Sequence, residues 1–481
     1  MRNRRSTFAH ASFAAVLGIG IGFQAPSPRA ANAPAALLPT PSPAQVAWQR
    51  METNAFVHFG PNTFTSVEWG SGREDPAVFN PTMFDAHQWV RAFKAAGMKG
   101  VILTAKHHDG FCLWPSALST HTVARSPWQG GRGDVLRELS TACREAGLKF
   151  GVYLSPWDRN HPAYGTPEYN RVFVGMLEEV LGGYGPIFEV WFDGANGEGP
   201  NGRRQVYDWP AFHATVTRLQ PDAVIFSDGG PGVRWVGNER GQGSLTSWAL
   251  IDRERYAPGT PFSDDLGEGS RLGRDWVPPE CDVSIRPGWF YRASEDARVK
   301  PAATLFRLYE QSVGRNCLLL LNVPPDTRGR IADPDVAALA GMRREVDQVY
   351  AANLATGARV LADVSRDGFE APRTLDRDAE SFWAAPEGAT HARLTLALSA
   401  PVTFNRVVLQ EPIALGQRVG AFEVEAMIAE EWTRIGTGST IGHKRILVVP
   451  DTKTDRVRIT IHETRAAPLL GEIGLHRAPM P

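Results

Sequence analysis

Phe188-Glu189-Val190-Trp191-Phe192-Asp193 is the stretch on which the fold turns. Side chains alternate along a strand, so Glu189, Trp191 and Asp193 share one face and Phe188, Val190 and Phe192 the other. A wholly apolar face suits packing beneath helices. The opposite face then ends on an acid, Asp193, followed by Gly194 and a loop. A parallel strand in a barrel that opens its C-terminal end onto a reactive site has this form. The competing reading of a lone strand-end Asp is a turn or helix cap.

Working outward, the same texture recurs from about residue 50 to 350. Short apolar runs at Ala55–Gly60, Gly100–Ala105, Phe150–Leu154, Ala223–Phe226 and Leu318–Val323 read as buried parallel strands. Helical periodicity lies between them. Ala86, Trp89, Val90 and Phe93 fall at i, i+3, i+4, i+7, as do Leu139, Ala142, Cys143 and Ala146. Tyr169, Val172, Phe173, Met176, Leu177 and Val180 extend the pattern over three turns, and Gly97, Gly147 and Gly182 are placed to stop these helices. Ala96-Gly97-Met98-Lys99 and Ala146-Gly147-Leu148-Lys149 repeat one helix–Gly–strand join. Repetition of that unit predicts an α/β chain folded as a (β/α)8-like TIM barrel. A doubly wound sheet is the alternative, but no G-x-G-x-x-G turn follows the first strand.

The texture changes after about Leu354. Arg393–Leu398, Arg406–Leu409, Ala421–Met427, Lys444–Val449 and Val457–Ile461 are short, alternating or valine-rich, and separated by Pro and Gly turns. They predict a C-terminal antiparallel β-sandwich, and the segments 376–383 and 457–475 resemble discoidin-like carbohydrate-binding modules. No carboxylate–histidine grouping comparable to the barrel's falls there, so the sandwich is expected to support the barrel or bind glycan weakly. At the other end, Arg2, Arg4 and Arg5, the apolar run Phe13 to Phe23 and Ala31-Asn32-Ala33 read as a cleaved export signal. The expected organisation is a signal peptide at 1–33, a catalytic barrel at 34–352 and the sandwich at 353–481, in an exported protein that is periplasmic or secreted.

A formal charge of -1 on 481 residues argues against nucleic-acid or anionic-membrane partners, and no run is long enough to span a bilayer. The four cysteines are too few for a disulfide scaffold; Cys143 and Cys317 read as buried thiols, and pairing is otherwise open. Fourteen Trp leave two uses open, core filling and stacking on the apolar face of a sugar.

Polar residues gather at the predicted strand ends. His58 closes the first strand, His107-His108-Asp109 the second, and Tyr153 and Ser155 the third. Two chemistries fit. One is a metal site, but the first strand offers His58-Phe59-Gly60 where metallo-hydrolase barrels carry H-x-H, and there is no H-E-x-x-H. The other is a sugar pocket, in which His, Glu, Tyr and Trp serve hydroxyls and an apolar ring face without metal. For a second carboxylate the candidates are Glu198, Asp228, Glu239 and Asp252. Arg132-Gly133-Asp134 is an R-G-D tripeptide, yet Asp134 falls where a helix begins.

Taken together, Phe56-Val57-His58-Phe59-Gly60, Glu68-Trp69, Lys106-His107-His108-Asp109-Gly110-Phe111, Gly151-Val152-Tyr153 and Trp191-Phe192-Asp193-Gly194 resemble the motif series of α-L-fucosidases, glycoside hydrolase family 29, over residues 45–350. The resemblance implies a retaining exo-α-L-fucosidase that uses no metal or other cofactor, with Asp193 as nucleophile. It places fucose against His58, Glu68, Trp69, His107, His108, Tyr153 and Trp191. Trp289, in Gly288-Trp289-Phe290-Tyr291, is expected at another strand end as an aromatic wall. The run from Asp193 to Gly202 and Trp235-Val236-Gly237-Asn238-Glu239, expected in the loop after the Ala223–Phe226 strand, resemble the α-1,3/4-fucosidase subgroup. That subgroup's acid/base maps to Glu239, and its substrates are fucosylated oligosaccharides or glycoconjugates. A broad-specificity α-L-fucosidase and a metal-dependent barrel hydrolase are the alternatives.

Overall fold

Eight strands close into a ring of parallel pairings in a computed structural model that describes residues 33–261 and 263–479. They are β1 Thr53–Val57, β2 Gly100–Lys106, β3 Lys149–Leu154, β4 Glu189–Trp191, β5 Val224–Ser227, β6 Val233–Trp235, β7 Pro279–Ser284 and β8 Leu318–Asn322. Each pairs with its neighbour in sequence except where β6 meets β7 across a long insertion, and β8 closes onto β1 with Thr53 opposite Leu319. The barrel is the expected one. Of the segment 1–33 expected to be an export signal, residues 1–32 lie outside the described residues, and within those described no helix is long and apolar enough to cross a membrane.

Alternation along the strands sorts the two cores. Phe56, Ile102, Tyr153, Trp191, Phe226 and Leu320 point inward and pack together inside the barrel. Val57, Val101, Leu103, Val152, Val190, Phe192 and Leu321 point outward against the helices. Phe188 departs from its expected face: it precedes β4 and packs under the barrel interior beside Gly100 and Gly151. The helical layer includes α1 Pro43–Gln49, α2 Ala86–Ala95, α3 Val135–Ala146, α4 Pro167–Gly183, α5 Trp209–Leu219, α6 Ala302–Ser312 and α7 Asp333–Tyr350. The Asp of the R-G-D tripeptide caps α3, accepting from the Arg137 N–H at 2.9 Å. Gly147 ends α3 at φ 74°, but Gly182 ends nothing: α4 runs on to Gly183. Helix α1 plugs the barrel's N-terminal end, where Trp48 Nε1 donates to Glu189 Oε2 at 2.8 Å. Glu280 meets Glu189 there, and burial pushes both carboxyls up.

After α7 the chain forms a six-stranded antiparallel sheet of β9 Arg359–Ala362, β10 Ala392–Gln410, β11 Val419–Ile428, β12 Glu431–Gly438, β13 Arg445–Thr464 and β14 Glu472–His476, and a second, two-stranded one in which Trp383–Ala384 pairs with Leu469–Leu470. Register shifts in the long strand β10, between Ala397 and Val402 and again between Phe404 and Arg406, let it serve both β9 and β14. The sheet wraps a separate core of Trp383, Leu394, Leu409, Val424, Ile459 and Ile473. The N-terminal residues just before α1 lie on this domain, with Leu37 N–H bonded to Leu415 O and Arg418 donating to Ala35 O. All four cysteines are buried free thiols.

Candidate active site

The C-terminal rim of the barrel holds a cavity of about 230 Å³, lined by the ten residues that the sequence assigns to catalysis or fucose binding: His58, Glu68, Trp69, His107, His108, Tyr153, Trp191, Asp193, Glu239 and Trp289. Phe56, Ala195 and Asp282 complete the wall. It opens into a wider outer cleft of about 790 Å³, which Asp193, Trp191, Glu239 and Asp282 also line. The two acids therefore stand where a smaller inner chamber meets a wider outer one.

Asp193 follows β4 and is held on both oxygens. Tyr153 Oη donates to Oδ2 at 3.1 Å and the Ala195 N–H to Oδ1 at 2.7 Å, while His108 Nε2 lies 3.8 Å from Oδ2. Gly194 is required beside it, because a Cβ there would sit 2.5 Å from the backbone N of Gly259 as well as against Asp228 Oδ2. Asp228, behind Gly194, has its carboxyl pushed up to about 6 by burial and lines only the outer cleft.

The three histidines are buried and are kept neutral. Burial lowers His58 to about 3 and His108 to about 4, against the opposing pull of Asp193 in the second case, and takes His107 well below its ordinary range. His58 Nδ1 faces Asn322 Oδ1 at 2.9 Å, and His108 Nδ1 faces Ser155 Oγ at 2.7 Å. Each imidazole is thus oriented from behind and presents its other nitrogen forward. His107 Nδ1 and Trp191 Nε1 are buried without a protein partner. Trp191 stacks on Phe226 at 3.8 Å, which fixes its ring.

Glu239 is not on the loop after β5, as expected, but follows β6, whose last residue is Trp235. Its carboxyl is raised, first by burial and then by the charges of Asp193 and Glu68. One hydrogen bond reaches it, from Trp289 Nε1 at 3.3 Å. Trp289 lies in a loop five residues beyond the end of β7 rather than at a strand end, and its ring is 5.0 Å from that of His58. Glu68 holds this loop by accepting from the Trp289 N–H at 2.6 Å and Arg292 Nη2 at 2.7 Å. Trp69, 56% exposed, stands edge-on to His108 as the outer wall.

Asp282 and Asn322 escaped the sequence reading, and Phe290, quoted there only beside Trp289, sets its ring edge-on to His58 at 5.4 Å and His107 at 5.1 Å. Asp282 lies inward on β7 and accepts from Trp235 Nε1 at 2.9 Å; burial, then Glu239, push its carboxyl up to about 8. The remaining acids are elsewhere. Asp109 is buried in the turn after β2, accepting from the Phe111 N–H, and Asp252 pairs with Arg274 at 2.9 Å on the surface. Glu198 belongs to a loop bridge with Arg204 and lines neither chamber. Among the described residues, no group of three or more His, Cys, Asp or Glu side chains is arranged to hold a metal ion.

Residues 43–345 match a family model described as alpha-L-fucosidase, and residues 362–472 one described as F5/8 type C domain. The chain is 46% identical over 460 residues to "Putative alpha-L-fucosidase 1" of Oryza sativa subsp. japonica, covering 94% of this chain and 87% of that one. A crystal structure of a putative alpha-L-fucosidase from Bacteroides thetaiotaomicron superposes with a TM-score of 0.87 at 37% identity, over 93% of this chain and 99% of the other. A Ruminococcus gnavus fucosidase solved in complex with fucose gives a TM-score of 0.86 at 32% identity, over 93% and 96%.

Proposed function

The chain belongs to the α-L-fucosidase family of glycoside hydrolases and is an α-L-fucosidase, and on that premise we propose that it is a retaining exo-enzyme that releases terminal α-1,3- and α-1,4-linked fucose. The observation that carries the exo reading is the junction of the two chambers: Asp193 and Glu239 line both the small inner chamber and the outer cleft. A terminal sugar fills the first, the rest of the glycan occupies the second, and the scissile bond lies between the two acids.

In this reading Asp193 attacks the anomeric carbon and forms an ester as the glycosidic bond breaks. Glu239, raised toward its protonated form, gives its proton to the leaving oxygen and then takes one from the water that cleaves the ester. His58, His107 and His108, kept neutral by burial, serve the sugar hydroxyls alongside Glu68, and Trp191, Tyr153, Trp69 and Trp289 supply the apolar walls. Linkage preference arises in the outer cleft. A branching galactose there contributes binding energy that sets the leaving oxygen against Glu239. The basic, apolar start of the chain marks it for export, which N-terminal sequencing of protein from the periplasm or medium tests.

The experiment is a comparison of kcat/KM on a Lewis trisaccharide, an α-1,2-fucosyl-galactoside and an aryl fucoside, with proton NMR of the first-formed sugar. The trisaccharide is expected to be preferred and α-fucose to appear first. Preference for the aryl fucoside or the α-1,2 linkage removes the linkage assignment, and early β-fucose removes retention.

A further inference from the structure

Glu239 receives a single hydrogen bond, at 3.3 Å, so its position depends on the loop that carries it, residues 236–249. That loop is held from two sides. On the barrel side, the Gly243 N–H donates to Gln311 O at 2.9 Å, and Arg315 Nη1 donates to Gly243 O at 2.8 Å. On the other side the partners come from the sandwich. Arg445 Nη1 donates to Leu245 O at 2.7 Å, and Thr246 Oγ1 meets Ser439 Oγ at 2.8 Å. The Ser247 N–H donates to Thr440 Oγ1 at 2.9 Å. Gln417 closes the clamp twice, donating to Ser247 O at 2.9 Å and accepting from the Ala249 N–H at 2.8 Å.

The bonds from Thr440 and Gln417 to Ser247 and Ala249 are buried and made to backbone groups. Ser247 and Gln417 are fully buried and Thr440 is 1% exposed, so removing a partner leaves a peptide group unsatisfied in the interior. Asn316 ties the two sides together. Its Nδ2 donates to Ser247 O at 3.1 Å, its Oδ1 accepts from the His443 N–H at 2.7 Å, and its own N–H bonds to Lys444 O. Gly442 permits that approach, since at φ 67° a Cβ would lie 2.3 Å from Asn316 Cγ. Ordinary domain packing has no need to spend its buried side-chain bonds on the backbone of one rim loop. Four sandwich side chains here converge on residues 245–249.

We propose that Gln417, Thr440 and Asn316 are positioning residues for the protonation step, so that the C-terminal sandwich acts in catalysis by holding the loop of Glu239. The inference rests on the assignment of Glu239 as acid/base made above. It goes beyond the expectation that the sandwich only supports the barrel or binds glycan.

The test uses the full-length enzyme with Gln417→Met combined with Thr440→Val. Two substrates are compared, a fucosylated oligosaccharide, whose sugar leaving group needs a proton, and α-L-fucosyl fluoride, whose leaving group does not. Misplacing the acid by about an ångström predicts a loss in kcat/KM of about tenfold to a hundredfold on the oligosaccharide, with fluoride turnover within about threefold. Thr440→Ser should retain wild-type behaviour. Combined with Glu239→Ala, the clamp substitutions should cost nothing further on the oligosaccharide. Equal losses on both substrates, no loss, or full additivity with Glu239→Ala each overturn the proposal. If Glu239→Ala alone affects both substrates equally, it is the acid/base assignment that fails. Should the double variant not fold, Thr440→Val alone and Asn316→Gly, whose φ of 61° glycine adopts freely, carry the same comparison.

Discussion

Asp282 shows how burial sets the charge state of a residue the family motifs do not mark. Its carboxyl is fixed against Trp235, faces Glu239 and is pushed up to about 8. A carboxyl whose folded value is raised stabilises the protein in its protonated form. That contribution is complete below its ordinary value of 3.8, falls away progressively above it, and is fully lost once pH has risen through about 8. The wild-type melting temperature is therefore expected to fall between about pH 4 and 8 more steeply than that of Asp282→Asn, which stays neutral throughout, and to run parallel to it above about 8. Parallel slopes across that lower window would sink this reading. The contrast with the other pocket residues explains what was legible. His58, His107, His108, Trp191 and Asp193 stand at the ends of apolar runs, where a polar residue is conspicuous. Asp282 sits inside Pro279-Glu280-Cys281-Asp282-Val283-Ser284, a strand whose inward face carries Glu280, Asp282 and Ser284. Those acids are paid for by contacts made only in the closed barrel, so nothing local announces a strand. Asn322 falls inside the apolar run Leu318–Val323, where a single amide gives no local sign that it partners His58.

At the scale of elements, six of the eight barrel strands were legible because an apolar run between periodic helices has few other readings. β6 and β7 were not. β6 is three residues with Arg234 at its centre, and that guanidinium is fully buried, donating to Leu266 O and Trp248 O at 2.8 Å each. A buried arginine satisfied by distant carbonyls cannot be distinguished from a surface arginine by local pattern. The displacement of Glu239 onto the loop after β6, and of Trp289 beyond β7, follows from missing those two strands. The segment that carries Trp289 is pinned by Arg286, whose Nε donates to Asp335 Oδ1 of α7 at 3.0 Å and whose guanidinium lies 4.6 Å from the Tyr291 ring. Both members of the pair are fully buried. Asp335→Ala leaves Arg286 with Asp296 as its remaining ion-pair partner. A loss of about 3 kcal/mol is expected, the low end for breaking a buried pair, together with a raised KM as the Trp289 wall loosens. Urea unfolding and steady-state kinetics measure both; a change under about 0.5 kcal/mol, the size of an ordinary surface substitution, would contradict the assignment.

Over the whole molecule, two cores that look separable in sequence are bound by polar contacts across their boundary. Arg406 Nε of β10 donates to Glu310 of α6 at 2.5 Å, Lys444 pairs with Glu52, and the Glu239 loop is shared. Scanning calorimetry is expected to show a single unfolding transition, and two resolved transitions would mean that the sandwich melts independently of the barrel it holds. The texture change near Leu354 made the sandwich visible in the sequence, but no periodicity could reveal that Gln417 and Thr440 reach back 168 and 193 positions to the catalytic rim. The central claim is that this enzyme cleaves fucosides through a covalent intermediate on Asp193. The most direct measurement is to incubate it with 2-deoxy-2-fluoro-fucosyl fluoride, which slows hydrolysis of the glycosyl-enzyme, and to map the label by peptide mass spectrometry. The account predicts one fluorofucosyl adduct, on the peptide that contains Asp193 and on that residue. A label on another carboxylate, or rapid turnover to β-fucose with no adduct, would contradict it.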